Sequence, residues 1–277
     1  MIKSSESLGI LGGGQLGRFF TTAAQSMGYS VVVFDPDNKS PAGKIANKHI
    51  CRPYDDLEAL DELKAICSSV TTEFENIPAD TLQYLEKDII VRPSSKAISI
   101  AQNRIKEKDF LGKFGVPVGQ YIVIDSIKSI SNINEEHKIF PGILKTAQFG
   151  YDGKGQLHVN NIVELENAFI SFNNVPCVLE LKLELDLEFS IVLARSVNGE
   201  YLEYPLIENH HESGILDFSL IPARVPFLLK KEATKLAMKI ANNLSYIGVM
   251  AVEFFISGNH LYVNEIAPRP HNSGHFS

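Results

Sequence analysis

Apolar residues fall into two different rhythms along this chain. In the N-terminal third, Leu8–Leu11 and Val31–Phe34 are short unbroken apolar runs, the pattern of strands buried on both faces. Gly12-Gly13-Gly14 breaks the first run. Gln15 to Met27 can then form a helix, and Gly28 suits its C′ position. Asp55 to Cys67 reads as a second helix with Leu57, Leu60 and Leu63 apolar, and Val70 to Phe74 as another strand. Alternating strands and helices predict a parallel sheet covered by helices on both faces.

Near residue 95 the rhythm changes. Arg92-Pro93-Ser94-Ser95 reads as a loop, and Ala101 to Phe114 as a helix ended by Gly115. Strand-like segments follow at Tyr121–Ile124, Ile143–Thr146, Cys177–Leu181 and Phe189–Ala194. Glu232 to Leu244 spaces Ala233, Leu236, Ala237, Ile240, Ala241 and Leu244 along one helix face. Val249–Ile256 and His260–Ile266 read as a hairpin around Ser257-Gly258-Asn259. The fold class is therefore an α/β first part and an α+β second part, more antiparallel, with the boundary at about residue 98.

A length of 277 residues fits two domains. With 33 acidic against 26 basic residues, the net charge of −7 argues against a nucleic-acid partner. It leaves room for a local basic pocket for a phosphorylated small molecule. Cys51, Cys67 and Cys177 are widely spaced with no CxxC pair, which argues against structural zinc and for a reducing cytoplasm. No apolar run reaches the roughly 18 residues of a membrane span, so no membrane partner is expected. Met1 to Gly14 turns glycine-rich too early for a signal peptide.

Four segments carry candidate chemistry. Gly12-x-Gly14-x-x-Gly17 lies between a strand and a helix, where an anion can rest on backbone N–H groups, and Asp35 ends the next strand. This is the arrangement of an NAD site, and also of glycine turns that hold no dinucleotide. From Lys145 to Gln156, a strand ending in lysine feeds Gly150, Tyr151, Asp152, Gly153, Lys154 and Gly155. Such a loop can fold over phosphates, and it also reads as an ordinary Asp-Gly hairpin. Glu253 and Glu265 sit on the two strands of the last hairpin. With a three-residue loop they share a face on the diagonal; with a two-residue loop Glu253 lies opposite Asn264. Their apolar flanks argue against free exposure, and hard oxygen ligands beside phosphates suit Mg²⁺. Pro268 to His275 gathers Arg269, His271, Asn272 and Ser273, which together suit a small oxyanion.

Four motifs stand in order: Gly-Gly-Gly-Gln-Leu-Gly-Arg at 12–18, Thr72-Glu-Phe-Glu-Asn-Ile-Pro78, Gly150-Tyr-Asp-Gly-Lys-Gly-Gln156 and Asn264-Glu-Ile-Ala-Pro-Arg-Pro-His-Asn-Ser-Gly-His275. Together they resemble the 5-(carboxyamino)imidazole ribonucleotide synthetases of the ATP-grasp superfamily, along the whole chain. The resemblance implies a Rossmann-like pre-ATP-grasp domain over residues 1–98 and an ATP-grasp domain over 99–277, with a lid at about 120–183. It implies ATP- and bicarbonate-dependent carboxylation of aminoimidazole ribonucleotide through carboxyphosphate, with ATP and Mg²⁺, in a cytoplasmic homodimer.

By the same resemblance Arg104 and Lys145 contact ATP phosphates, and Gly150 to Gln156 form the lid. Glu180, Leu181, Lys182 and Leu183 read the adenine, Glu188 binds the ribose, and His211 lies near the nucleotide. Glu253 and Glu265 hold Mg²⁺ with Asn264 beside them. Arg269, His271, Asn272 and Ser273 face bicarbonate. Glu73, Tyr151 and Lys154 hold the imidazole ribonucleotide, with Gly14, Gln15 and Leu16 near its phosphate. Glu180, Glu184, Asp186 and Glu188 also alternate as a solvated strand face would. Two departures stand out: Ala267 replaces an asparagine that many ATP-grasp enzymes carry, and the family's C-terminal small domain is expected to be missing after Ser277. The competing readings are a formate- or amino-acid-using ligase, an NAD-dependent oxidoreductase, and a nucleotide-binding remnant without turnover.

Overall fold

The computed structural model describes residues 2–3, 5–148, 150, 155–212 and 215–276. Strand β1 (Ser7–Leu11) enters helix α1 (Gln15–Ser26) through the glycine turn. Then follow β2 (Ser30–Phe34), β3 (Lys48–Ile50), α2 (Leu57–Ile66), β4 (Cys67–Thr72), α3 (Ala79–Leu85), β5 (Ile90–Val91) and α4 (Ser95–Ala101). The five strands are parallel, in the order β3-β2-β1-β4-β5. Val32 and Phe34 pack into a core with Leu60 and Leu63 of α2. Val31 and Val33 pack into the core on the other face with Ala24 of α1. Burial on both faces is why the run reads as continuous rather than alternating. Gly28 stands just past α1 at φ +87, as the sequence predicts. Strand β4 starts earlier than expected, straight from α2: Cys67 pairs with Ser7 and Ser69 with Leu8 of β1, across a register shift at Ser68 that the apolar pattern does not mark.

The helix expected over Ala101 to Phe114 is two. Helix α4 ends at Ala101, and α5 (Arg104–Lys113) begins afresh. The Asn103 side chain accepts from the N–H groups of Ile105 and Lys106 at 3.0 and 3.2 Å, so it caps the second helix instead of continuing the first. Helix α4 joins two cores: Ile98 packs among the residues of the parallel sheet, and Ala97 among those of the large sheet described next.

A small antiparallel sheet follows, built from β6 (Tyr121–Ile124), β7 (Gly142–Thr146), β8 (Gln156–Val159) and β9 (Cys177–Leu181) in the order β6-β9-β7-β8. Helices α6 (Ile127–Ser131) and α7 (Ile162–Ser171) cover one face, with Leu165 and Phe169 packed on Leu144 and Leu179. The large sheet contains β10 (Leu187–Arg195), β11 (Tyr201–Glu203), β12 (Ile207–Glu212), β13 (Ile215–Leu220), β14 (Gly248–Ser257) and β15 (His260–Ala267). Its order is β13-β12-β10-β14-β15, with β11 on β10. Helix α8 (Phe227–Asn243) buries Ala233, Ala237, Ile240 and Ala241 in the core beneath it, where the Phe189 and Phe254 rings stack 5.1 Å apart.

The last hairpin resolves the loop length left open by the sequence. Ser257 pairs with His260, so the turn is the two residues Gly258 and Asn259, at φ +56 and +66. Positive φ at both positions matches the twist of the flanking strands. From there Phe254 pairs with Val263, but Val252 pairs with Ile266. Asn264 and Glu265 therefore face Glu253 together, two residues against one. This β-bulge, not a diagonal pairing, brings the two glutamates to one side.

Candidate active site

A cavity of about 510 Å³ lies between the small sheet and the large one. Helix α5 supplies Arg104, Glu107 and Lys108, one helical turn of spacing apart; β7 supplies Lys145, β9 Glu180, and the bulged hairpin Glu253, Asn264 and Glu265. The segment after β15 adds Arg269, His271 and Asn272.

Every cationic side chain named here is held by an acid. Arg104 Nη1 lies 3.2 Å from Glu265 Oε2. Lys145 Nζ and Lys108 Nζ share Glu180, at 2.8 and 2.9 Å from its two oxygens. His211 Nδ1 is 3.0 Å from Glu188 Oε2, and His271 Nε2 is 3.2 Å from Glu253 Oε1. Arg269 Nε donates to Glu75, tying this segment to the loop after β4. Asn264 Nδ2 donates to Glu253 Oε2 at 3.1 Å, and Ser273, almost wholly buried, hydrogen-bonds His271 Nδ1 through its hydroxyl at 2.7 Å.

These pairs set the ionisation of the site. Burial alone would raise the Glu180 carboxyl, but the two lysines outweigh it and bring it down to about 2. Burial opposes ionisation of Glu253 too, and the His271 contact overrides it downward. Burial acts likewise on Glu75, and Arg269 holds it below the usual range. The hydrogen bond to Glu188 raises His211. Glu107 goes the other way: burial pushes it up to about 8, with the neighbouring Glu265 charge adding to the rise.

The Glu180 carboxyl titrates lower in the folded chain than in the unfolded one, so its contribution to stability is complete above about pH 5 and is lost as pH falls toward about 2. Acid titration of thermal stability without nucleotide should therefore be flatter across that window in Glu180→Gln than in the parent chain. Equal slopes would contradict the lysine–Glu180 pairing.

The donor set fits a hard cation. Two carboxylates and a carboxamide oxygen can be supplied by Glu253, Glu265 and Asn264, and Mg²⁺ is usually held by one or two carboxylates together with phosphate oxygens and water. No cluster of three or more His, Cys, Asp and Glu side chains suited to a metal occurs among the described residues, consistent with a site completed by its substrate.

A second cavity of about 270 Å³ opens at the glycine turn, beside Gly13, Gly14, Asp35, Ser40 and Glu73. Gly13 N–H donates to Asp35 Oδ2 and Gly14 N–H to Glu73 Oε1, both at 2.7 Å, and Gly17 N–H donates to the other Glu73 oxygen. Burial raises the Glu73 carboxyl, against the pull of those N–H groups. A Cβ at Gly14 or Gly17 would collide with that carboxylate. The N–H groups of Gly13, Gly14 and Gly17 are thus engaged. Of the residues expected near the phosphate, Gly14 has its N–H engaged by Glu73, and the turn presents carboxylates that suit hydroxyl or amine donors. The same occupancy removes the main support for NAD, since Asp35 is folded onto the turn.

Comparison with known proteins places this geometry. A family model described as the ribonucleotide synthetase preATP-grasp domain matches residues 5–102, and one described as the ATP-grasp domain matches residues 109–277. The N5-carboxyaminoimidazole ribonucleotide synthase of Bacillus subtilis is 39% identical over 271 residues, 98% of this chain and 71% of that protein. The chain belongs to the N5-carboxyaminoimidazole ribonucleotide synthase family. It is thus an ATP-grasp enzyme, an ATP-dependent carbon–nitrogen ligase. The crystal structure of the Staphylococcus aureus N5-carboxyaminoimidazole synthetase complexed with ADP superposes with a TM-score of 0.92 at 40% identity, covering 100% of this chain and 74% of that one. The Aspergillus clavatus N5-carboxyaminoimidazole synthase, in complex with ADP and 5-aminoimidazole ribonucleotide, superposes with a TM-score of 0.87 at 28% identity, covering 99% of this chain and 72% of that one.

Most sequence-predicted residues meet in the larger cavity. Arg104, Lys145, Gly150, Gly155, Gln156, Glu180, Leu181, Leu183, Glu188, His211, Glu253, Asn264, Glu265, Arg269, His271 and Asn272 line it. Lys182 is exposed, and Ser273 lies beneath His271. Tyr151, Asp152, Gly153 and Lys154 lie outside the described residues. Glu180 and Glu188 turn inward while Glu184 and Asp186 are exposed, so the alternating acids are not one solvated face. Glu75, Glu107 and Lys108 were missed. Their signal was present: Arg104, Glu107 and Lys108 recur at helical spacing on a short helix, and Glu75 stands two residues after Glu73 on a strand-end motif.

Proposed function

We propose that this chain carboxylates 5-aminoimidazole ribonucleotide with ATP and bicarbonate, in purine biosynthesis, and that the cavity between the two antiparallel sheets is where it does so. The observation that carries the reading is the convergence of Glu253, Asn264 and Glu265 with Lys145, Arg104 and the Arg269–Asn272 segment in one space. A bicarbonate oxygen attacks the γ-phosphorus of ATP and ADP leaves, giving carboxyphosphate. The amine nitrogen then attacks its carbonyl carbon, inorganic phosphate leaves, and the nitrogen gives up a proton to yield the carbamate.

In this reading Lys145 and Arg104 exchange their carboxylate partners for phosphate oxygens, so that ATP replaces existing ion pairs rather than entering an unpaired cationic pocket. Glu180 to Leu183 read the adenine, and Glu188 and His211 the sugar. Glu253 and Glu265, with Asn264 beside them, would hold Mg²⁺, which would supply charge neutralisation to the phosphates. Arg269, His271 and Asn272 orient bicarbonate, and Ser273 fixes the His271 ring through its Nδ1 contact. Glu73, Tyr151 and Lys154 hold the imidazole ribonucleotide. Gly150 to Gln156 close over the nucleotide and exclude water from the short-lived intermediate.

The division near residue 98, with a lid at about 120–183, is part of the same reading. It is supported by the helix α4 that straddles two cores. A cytoplasmic homodimer completes it. Three cysteines without a disulfide fit a reducing compartment, and Phe227 and Leu228, 66% and 76% exposed, offer apolar area to a second copy. Among the described residues no helix is long and apolar enough to cross a membrane.

The test is phosphate release from ATP. It should require bicarbonate and rise with aminoimidazole ribonucleotide. Release supported by formate instead of bicarbonate would replace this reading with the formate-using one, and nucleotide binding without any release would leave a silent remnant.

A further inference from the structure

The bulge in β15 decides where the two glutamates point, and a bulge is an unstable place to store a decision. Shifting a strand by one residue moves every side chain to the opposite face. Here an ordinary register would keep Asn264 opposite Glu253 and send Glu265 away from it. Something must hold the extra residue in place.

Strand β15 is the edge of its sheet, so its outward N–H groups find no partner strand. Val263 N–H is taken by the carbonyl of Pro117 at 2.8 Å. In a regular strand the next outward N–H would come two residues later, at Glu265. Instead it comes three residues later: Ile266 N–H donates to Glu107 Oε1 at 2.6 Å. The spacing of three is the bulge itself, read from the outer edge of the strand. Only the bulged register brings Ile266 N–H to that oxygen.

Glu107 is 2% exposed and rises from α5, whose Arg104 touches Glu265 and whose Lys108 touches Glu180. A fully buried carboxyl group given over to one backbone N–H is a costly arrangement for plain packing.

We propose that Glu107 is a positioning residue: its carboxyl oxygen Oε1 accepts from Ile266 N–H and so locks the bulged register that turns Asn264 and Glu265 toward Glu253. The inference rests on the proposed role of Glu253 and Glu265 as the magnesium pair.

Two conservative variants separate this from a purely electrostatic or structural role. Glu107→Gln keeps an acceptor oxygen at the same reach and removes the ionisable group; it should stay within about threefold of the parent in kcat and in the Mg²⁺ concentration giving half-maximal rate. Glu107→Asp keeps the carboxyl group and withdraws its oxygen by one methylene. It should lower kcat and raise the half-maximal Mg²⁺ concentration, each about 10- to 100-fold, as loss of an outer-shell partner does, while KM for aminoimidazole ribonucleotide stays put.

The proposal is overturned if Asp behaves as the parent, or if Gln is damaged as much as Asp. Amide hydrogen exchange gives a readout that needs no turnover: Ile266 N–H should be protected in the parent and in Gln, and exchange faster in Asp. Absent bicarbonate-dependent release by the parent chain would sink the functional reading while leaving the exchange result to judge the lock.

Discussion

Glu265→Gln is expected to lower bicarbonate-dependent phosphate release by about 10³-fold while the chain still folds cooperatively. A factor of that size is about 4 kcal/mol of transition-state stabilisation, within what a correctly held metal ion supplies to a phosphoryl transfer. Glutamine has nearly the same shape, so the bulge and the Ile266–Glu107 contact should survive. What is lost is one of the two negative charges that the cation needs. Without nucleotide the change works in both directions on stability. Arg104 loses a 3.2 Å ion pair, while Glu107, whose carboxyl is raised partly by the Glu265 charge, is relieved of that repulsion. The thermal midpoint should consequently stay close to that of the parent even though turnover collapses. Activity within tenfold of the parent at saturating Mg²⁺ would remove Glu265 from the metal site.

This part of the molecule was only half legible in its sequence. The apolar runs around Glu253 and Glu265 mark both strands to within a residue or two, because burial writes itself into composition. The register does not follow from composition. It follows from Gly258 and Asn259 both adopting positive φ and from a backbone N–H finding Glu107, which lies 159 positions earlier in the chain.

The helix break at Asn103 is a similar case. Asparagine is unremarkable inside a helical stretch until its side chain turns to cap the next helix, and only then does Arg104 become the first residue of α5 rather than one of its middle. At the glycine turn the sequence offered a phosphate cradle. Tertiary structure also brings Glu73, just past the end of β4 and 59 positions away from Gly14, onto that turn. Pairings between distant segments are what sequence rhythm leaves out. They account equally for the partners of Glu75 and Lys108, which are Arg269 and Glu180.

Arg269→Ala carries the second large effect, and it should be seen in two measurements of different sign with pH. Arg269 is the cation that would face bicarbonate, and its Nε also binds Glu75 on the loop after β4. Losing it should cut bicarbonate-dependent release by about 10²- to 10³-fold, the range for removing a preorganised donor from a developing oxyanion. It also leaves Glu75 with its burial and without its counter-charge. In the parent, Arg269 depresses the Glu75 carboxyl, so the pair stabilises the folded chain above the unfolded pKa and loses that contribution as pH falls. In the variant, burial is opposed only by a backbone hydrogen bond and His271, so ionised Glu75 is less favoured in the folded chain as pH rises. The stability difference between the two chains should therefore widen from pH 4 to pH 7, by about 1–3 kcal/mol for a pair of which the acid remains about a quarter exposed. Arg269→Lys divides the two roles. It restores a charge for Glu75 and so should recover most of the stability at pH 7. It lacks the planar fork that addresses Glu75 and an oxyanion at once, so turnover should stay low. Full recovery of turnover by lysine would mean that Arg269 contributes charge alone, and that the geometry of the bicarbonate site lies with His271 and Asn272.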